Sequence, residues 1–156
     1  MRNLLVVAIT SFCLLACNEN RIYSDNETLS PDYEWKKVDT REFEVPVENI
    51  DIAYNLSLSF RFATGFQFPN MKVQVTETSP GGEETINVYD LKIMGEKEYL
   101  GDVSGDIWDS EHLIVPNKKY EEKGTYKYKL EHVMPQDPLN FAMEIGVILD
   151  KISQEK

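Results

Sequence analysis

The chain has 156 residues and carries 16 basic against 27 acidic side chains, a formal net charge of −11 at pH 7. Nucleic-acid phosphates require a basic surface, so this balance excludes nucleic acid as an expected partner, and it also disfavours electrostatic docking onto anionic lipid. A chain of this length is typical of one domain with a hydrophobic core of its own.

The amino terminus has the organisation of a secretory signal peptide. A single basic residue, Arg2, precedes a run that is almost wholly apolar, LLVVAITSFCLLA, and the run ends on the small residue Ala16. A helix needs about 20 residues to span a bilayer, so this run is too short to cross a membrane. We therefore predict that residues 1–16 form a signal peptide, which is removed by cleavage between Ala16 and Cys17.

The residues at this junction, Leu-Leu-Ala-Cys, resemble the lipobox of bacterial lipoproteins. The resemblance implies that the thiol of Cys17 receives a diacylglyceryl group and that the new terminal amine is acylated after cleavage. A thiolate is nucleophilic enough to form the thioether, and the small Ala16 gives the peptidase access to the bond. The alternative is an ordinary secretory signal followed by a chance cysteine.

The chain has two cysteines, of which Cys13 leaves with the signal peptide and Cys17 is consumed by the lipid. We therefore expect no free thiol and no disulfide in the mature chain.

The segment after the cysteine predicts a spacer between the lipid and the folded domain. Residues 17–32, CNENRIYSDNETLSPD, are polar and weakly patterned, which is typical of a tether, although residues 21–24 could form a short strand. We expect a single folded domain over residues 33–152 and a short tail over residues 153–156.

Apolar and polar residues alternate with a period of two in most of the remaining sequence, which indicates strands with one buried and one exposed face. The longest clear alternation covers residues 54–62. Further alternating stretches lie at residues 43–47, 71–76, 84–94, 112–115, 126–131 and 141–149. Within residues 84–94 the apolar phase changes near Asp90, which predicts a bulge or a bend.

The pattern as a whole predicts an all-β fold. No stretch of ten or more residues shows a helical period, and at most one helical turn is expected near residues 133–139. Turn signals such as Ser-Pro-Gly-Gly at residues 79–82 separate the strands. Seven to eight strands of this kind indicate an antiparallel β-sandwich of jelly-roll or immunoglobulin-like type with little helix.

An acidic segment, Asp102–Glu111, carries four carboxylates within ten residues, with glycines that could let it curl around a hard cation. Calcium binds six to eight oxygens in flexible geometry, so a calcium loop is one hypothesis. The spacing matches no calcium-loop pattern, however. The other hypothesis, which the sequence favours, is an acidic surface crossover with Ile107 and Trp108 packed into the core.

No catalytic or cofactor motif is evident in the sequence. The two histidines, His112 and His132, do not form a zinc-binding pair, and a glycine-rich phosphate loop and a nucleophile elbow are both lacking. His132 continues the apolar phase of the residues before it, which predicts a core or rim histidine rather than a catalytic base. With 27 acidic side chains, neighbouring carboxylates are inevitable and do not by themselves indicate a hydrolase. We expect a non-enzymatic protein without cofactor or metal.

Aromatic side chains raise an alternative function, a carbohydrate-binding or other ligand-binding module displayed on the envelope. Exposed aromatic rings can stack on sugar rings, and the candidates here are Tyr33, Trp35, Tyr89 and Trp108. Aromatic residues in β-sandwiches belong more often to the core, and that interpretation is favoured.

Short segments in a fixed order along the chain carry a family resemblance. They are Leu14–Cys17, Asn20–Tyr23, Trp35–Lys37, Phe43–Val45, Tyr54–Leu58, Gly105–Asp109, Asp137–Leu139 and Ile145–Val147. Together they resemble the GldH lipoproteins of gliding motility in the Bacteroidetes. The resemblance implies an accessory or structural part of the gliding machinery, which is linked to type IX protein secretion, with other gliding and secretion proteins of the envelope as partners. The family implies no active site, so Cys17 is the functional residue that it transfers.

The lipid on Cys17, rather than the surface charge, is expected to hold the protein at a membrane. In this group of bacteria, acidic residues directly after the cysteine indicate export to the cell surface, and here only Glu19 lies close to it. We therefore expect the outer membrane rather than the inner one, with the domain facing the periplasm.

Overall fold

The computed structural model describes residues 19–152, which contain eleven β-strands and no helix. All of the strand pairs are antiparallel. The strands are β1 (Arg21–Thr28), β2 (Glu34–Trp35), β3 (Arg41–Val47), β4 (Tyr54–Ala63), β5 (Asn70–Thr78), β6 (Glu84–Lys92), β7 (Asp102–Ser104), β8 (Ile107–Lys118), β9 (Gly124–His132), β10 (Leu139–Asn140) and β11 (Ala142–Lys151).

Two main sheets enclose one hydrophobic core. One sheet has five strands in the order β1-β11-β4-β8-β7, the other has four in the order β3-β9-β5-β6, and β2 and β10 form a short ribbon. The predicted all-β antiparallel sandwich is confirmed. It has more strands than expected, partly because β2, β7 and β10 have only two or three residues and are too short to show an alternation.

The core explains why alternation predicted these strands. β4 lies in the middle of the five-stranded sheet, and its side chains Tyr54, Leu56, Leu58, Phe60 and Phe62 are each at most 1% exposed. The four-stranded sheet contributes Phe43, Val45, Met71, Val73, Tyr128 and Leu130 to the same core. Burial of a side chain of this size contributes about 1.5–3 kcal/mol, so these faces hold the two sheets together.

The folded domain begins earlier than expected. β1 lies inside the segment predicted as a tether, residues 17–32, and pairs with β11 from Arg21 to Thr28. The structure differs from the expected tether over residues 21–28, because the short strand allowed for residues 21–24 forms and extends to Thr28. β1 is an edge strand with a partner on one side, so most of its residues are polar and its alternation is weak.

β6 differs from the predicted strand in its register. β5 and β6 pair over their whole length without a shift, so no bulge lies near Asp90. Instead, Tyr89 and Leu91 face the core, whereas Ile86 and Val88 lie on the outer face and are 59% and 53% exposed. The bulge prediction was wrong because it assumed that every apolar residue of this strand is buried.

The segment that could have held a helical turn, residues 133–139, is irregular and contains a cis peptide bond between Asp137 and Pro138. It leads into β10, whose Leu139 pairs with Trp35 of β2. Both side chains are fully buried, so this ribbon is part of the core.

Candidate functional site

The predicted attachment site lies outside the described residues, since Ala16 and Cys17 both precede residue 19. The nearest described structure is the start of β1, where the carbonyl of Asn20 accepts a hydrogen bond of 2.8 Å from the backbone N–H of Lys151. β1 therefore joins the sheet within a few residues of the predicted lipid.

Arg21, the first residue of β1, ties this strand to two others. Its guanidinium donates to Asp150 of β11 at 3.1 Å and makes a two-pronged contact with Glu111 of β8, at 3.0 and 2.9 Å. Because β11 and β4 separate β1 from β8, this contact spans the outer face of the five-stranded sheet. Hydrogen bonding to Glu111, and then to Asp150, raises the pKa of Arg21 above its ordinary value.

Arg61 of β4 makes a second arrangement of the same kind on this face. It donates to both carboxylate oxygens of Asp109 in β8, at 2.7 and 3.1 Å, and to Glu144 in β11 at 3.2 Å. The hydrogen bonds to Asp109 raise the pKa of Arg61. Arg61 thus connects the three central strands of the sheet.

A groove of about 270 Å³ lies between these two arginines. We call it the arginine groove, defined by Arg21, Arg61 and the small polar residues Ser24, Asn26 and Ser59 between them. The carboxylates that border it are hydrogen-bonded to the arginines, and arginine keeps its proton in proteins. The arrangement is therefore suited to joining strands or holding a polar ligand, and not to proton transfer.

The acidic segment Asp102–Glu111 forms a hairpin, in which β7 pairs with the start of β8. The segment is therefore a hairpin within one sheet and not the predicted surface crossover. Two of its carboxylates, Asp109 and Glu111, belong to the arginine groove as partners of arginine. Trp108 packs against the core and donates its indole N–H to Thr64 at 3.1 Å. Within residues 19–152, three or more His, Cys, Asp or Glu side chains do not come together in a metal-binding cluster.

His132 lies in the core, as predicted. Its side chain is fully buried, neither ring nitrogen has a hydrogen-bond partner, and the ring meets that of Trp35 edge-on at 5.3 Å between centroids. Burial lowers the pKa of His132. The carboxylate of Asp137, 3.8 Å away, acts in the opposite direction, and Lys37 lowers the pKa further.

His112 is half-buried beside a cleft of about 450 Å³ between β6 and β8. Its Nε2 lies 2.9 Å from the hydroxyl oxygen of Ser110, and that hydroxyl donates to the carbonyl of Phe60 at 3.1 Å. The Ser110 hydroxyl is therefore within reach of a backbone carbonyl as well as of the ring, and the donor and acceptor roles in its contact with His112 depend on the tautomer of His112. A serine nucleophile would direct its hydroxyl proton at the ring nitrogen of its base, whereas the hydroxyl of Ser110 has a backbone carbonyl as a competing acceptor. Burial also lowers the pKa of His112.

Three of the four aromatic residues considered for sugar stacking pack in or against the core. Trp35 is fully buried, and Tyr89 and Trp108 are half-buried against the core. Tyr33 is 50% exposed and has a positive φ of 57°. The interpretation that these aromatic rings belong to the core is confirmed for Trp35, Tyr89 and Trp108.

Sequence reasoning did not identify the two arginines of the arginine groove. Arg61 stands at a polar position of the longest alternating strand, which places it on the outer face, but its partners are 48 and 83 residues away. Arg21 was assigned to a tether. One pattern in the sequence could have indicated them, an arginine whose neighbours on the same face of the strand are small and polar. Such a face leaves room for the long arginine side chain to lie across the sheet.

Comparison with known proteins identifies the family. The GldH lipoprotein family matches residues 21–149, which cover nearly the whole described domain. A gliding motility lipoprotein GldH homolog from Christiangramia forsetii is 28% identical over an alignment of 142 positions, which covers 86% of this chain and 83% of that protein. No solved structure matches the chain. Among residues 19–152 there is no helix with the length and apolarity needed to cross a membrane. The chain belongs to the GldH lipoprotein family.

Proposed function

We propose that this protein is a lipid-anchored, non-enzymatic component of the bacterial gliding machinery, with an assembly or structural role linked to type IX protein secretion. The observation that carries the proposal is the family match over residues 21–149, together with a relative that is named for gliding motility. The partners are other envelope proteins of gliding and secretion.

Attachment through Cys17 is supported by the lipobox and by the position of β1. The strand starts four residues after Cys17 and is held by the β11 ladder and by Arg21. A pull on the lipid would therefore act on a sheet strand rather than on a long flexible tether. This arrangement suits a protein that bears load between the membrane and its partners. We place the protein in the outer membrane, with the domain facing the periplasm.

A structural role rather than catalysis is supported by the state of the two histidines. The side chain of His132 is fully buried, and the hydroxyl of Ser110 beside His112 donates to the backbone carbonyl of Phe60. The charged side chains of the arginine groove pair with one another. These groups hold the fold together and offer surfaces for contact.

Gene deletion in a gliding host tests the proposal. The deletion should abolish spreading on agar, the wild-type gene should restore it, and Cys17→Ala should restore it weakly or not at all, because the domain is no longer held at a membrane. Val38→Ala, a change at an exposed residue, is the matched control and should restore spreading fully.

Two further measurements separate the parts of the proposal. Immunoblots must show the Cys17→Ala domain at normal abundance, so that loss of gliding reports loss of the anchor. Secretion of type IX substrates into the medium tests the secretion link. Normal gliding in the deletion strain would contradict the proposal, and normal secretion without gliding would remove the link to type IX export.

A further inference from the structure

The two sheets have four free edges, and three of them carry features that discourage pairing with another chain. β1 has a register shift between Arg21 and Tyr23, and β3 contains Pro46. β7 has only three residues, and the part of β8 that extends beyond it contains Pro116. Short strands, bulges and prolines are the usual means by which native sheets protect an edge.

The edge formed by β6 carries none of these protections. The strand has nine residues, ETINVYDLK, without proline, and it pairs with β5 without a register shift. Along its other side it pairs with no strand of the described part of the chain. Its residues 84–88 are exposed on both faces, and Ile86 and Val88 place apolar surface next to the unpaired backbone. Such an edge is a template for a further strand.

The sequence of β6 is complementary to itself in one antiparallel register. If two copies pair with Val88 opposite Val88, Glu84 of each copy lies opposite Lys92 of the other, on the same outer face. Glu84 and Lys92 are both exposed, and neither forms a salt bridge within residues 19–152. Opposite charges in facing positions stabilise a strand pair, so this register gains two such contacts.

Neighbouring registers are less favourable. Pairing about Asn87 would place Glu84 opposite Asp90 twice, and pairing about Asp90 would place the two Asp90 side chains opposite each other. Like charges in facing positions destabilise a strand pair. In the register about Val88 the two Val88 side chains face each other and Ile86 of each copy lies diagonal to Val88 of the other, while Ile86 itself faces Asp90.

We propose that β6 is a homodimer interface, in which two copies pair antiparallel about Val88 and their four-stranded sheets become one eight-stranded sheet. The inference goes beyond the proposed function and rests on only one part of it, the lipid anchor. β1 packs beside β3 at the opposite edge of the sandwich, so the anchor leaves β6 accessible. Confinement of both copies to one membrane raises their effective concentration and favours this pairing.

Cysteine cross-linking of the full-length lipoprotein in native membranes tests the geometry. Facing Cα atoms in an antiparallel pair are about 4.5–5.5 Å apart, within the range of a disulfide, so oxidised Val88→Cys should migrate as a disulfide-linked dimer. Ile86→Cys is the matched control, because Ile86 lies on the same face with similar exposure. In the proposed register its two copies are about 13 Å apart, and they should stay monomeric.

Charge reversal tests the register independently. Glu84→Lys and Lys92→Glu should each weaken the dimer by about tenfold in sedimentation of the detergent-solubilised lipoprotein, and the double variant should restore it. Circular dichroism confirms that each variant is folded. The proposal is overturned if folded Val88→Cys remains monomeric, if it cross-links to a different envelope protein instead of itself, or if Ile86→Cys dimerises equally well.

Discussion

At the scale of single residues, the buried His132 makes stability depend on pH. Burial lowers its pKa in the folded protein, whereas in the unfolded chain the pKa returns to about 6.5. Between these two values the unfolded state binds more protons, so the free energy of unfolding decreases as the pH falls below about 6.5. One such group contributes at most about 1.4 kcal/mol per pH unit, and His112, whose pKa is also lowered, acts in the same direction.

We therefore expect the melting temperature of the wild-type protein to fall between about pH 7.5 and about pH 5.5, a range above the titration of ordinary carboxylates. His132→Phe keeps an aromatic ring against Trp35 and should lose less stability over this range. The double variant with His112→Phe should lose the least. A wild-type melting temperature that is constant over this range, or a pH dependence that survives both substitutions, would contradict the assignment.

At the scale of elements, the attachment of β1 to β11 depends on Gly146. A Cβ atom at this position would collide with the backbone carbonyl of Asp25 and with the side chains of Asn26 and Ser59. Gly146 is therefore needed for close approach of the two strands and not for a left-handed backbone. Asn26 lies over this glycine and hydrogen-bonds with Ser59, which brings β1 close to the centre of the sheet.

Gly146→Ala should push β1 away from β11 and destabilise the protein by about 1–3 kcal/mol, because a backbone oxygen cannot rotate out of the way. Denaturant unfolding gives the free energy, and limited proteolysis reports whether β1 becomes the first site of cleavage. Ser24→Ala, at an exposed position of β1, should change stability by no more than about 0.5 kcal/mol. Equal stability of Gly146→Ala and wild type would show that the strands can separate without cost.

At the scale of the whole molecule, the net charge of −11 opposes binding to an anionic membrane, so attachment has to come from the lipid. In a flotation assay with anionic phospholipid vesicles, the wild-type lipoprotein should float with the vesicles and Cys17→Ala should remain at the bottom. The result should not change with salt concentration, because acyl-chain insertion is not screened. Flotation of Cys17→Ala at low salt would indicate a charged membrane-binding surface that the composition does not predict.

Much of the fold was predictable because alternation is a local property of the sequence. β4 shows this most clearly, since each apolar residue from Tyr54 to Phe62 in the predicted phase is buried. The same reasoning failed for β1, which is polar because it lies at an edge. It also failed for β6, where Ile86 and Val88 are apolar and yet exposed. Alternation identifies a strand that buries one face. It does not show whether the strand lies in the middle of a sheet or at its edge.

The candidate site was less predictable because it depends on contacts between distant residues. Glu111 was considered as a calcium ligand, but its partner Arg21 lies 90 residues earlier in the chain. Asp109 is likewise joined to Arg61, on a different strand. The order of strands in a sheet decides such pairs, and single-sequence patterns do not contain that order.

The sequence by itself determined the all-β class, the buried faces of the central strands and the core position of His132. These properties follow from the period of two that a strand imposes on its side chains. The tertiary structure alone decided that β1 belongs to the sheet, that two arginines hold its outer face, and that β6 remains an unprotected edge. These depend on which strands become neighbours, and that choice is made by the summed packing of the whole core and not by any one segment.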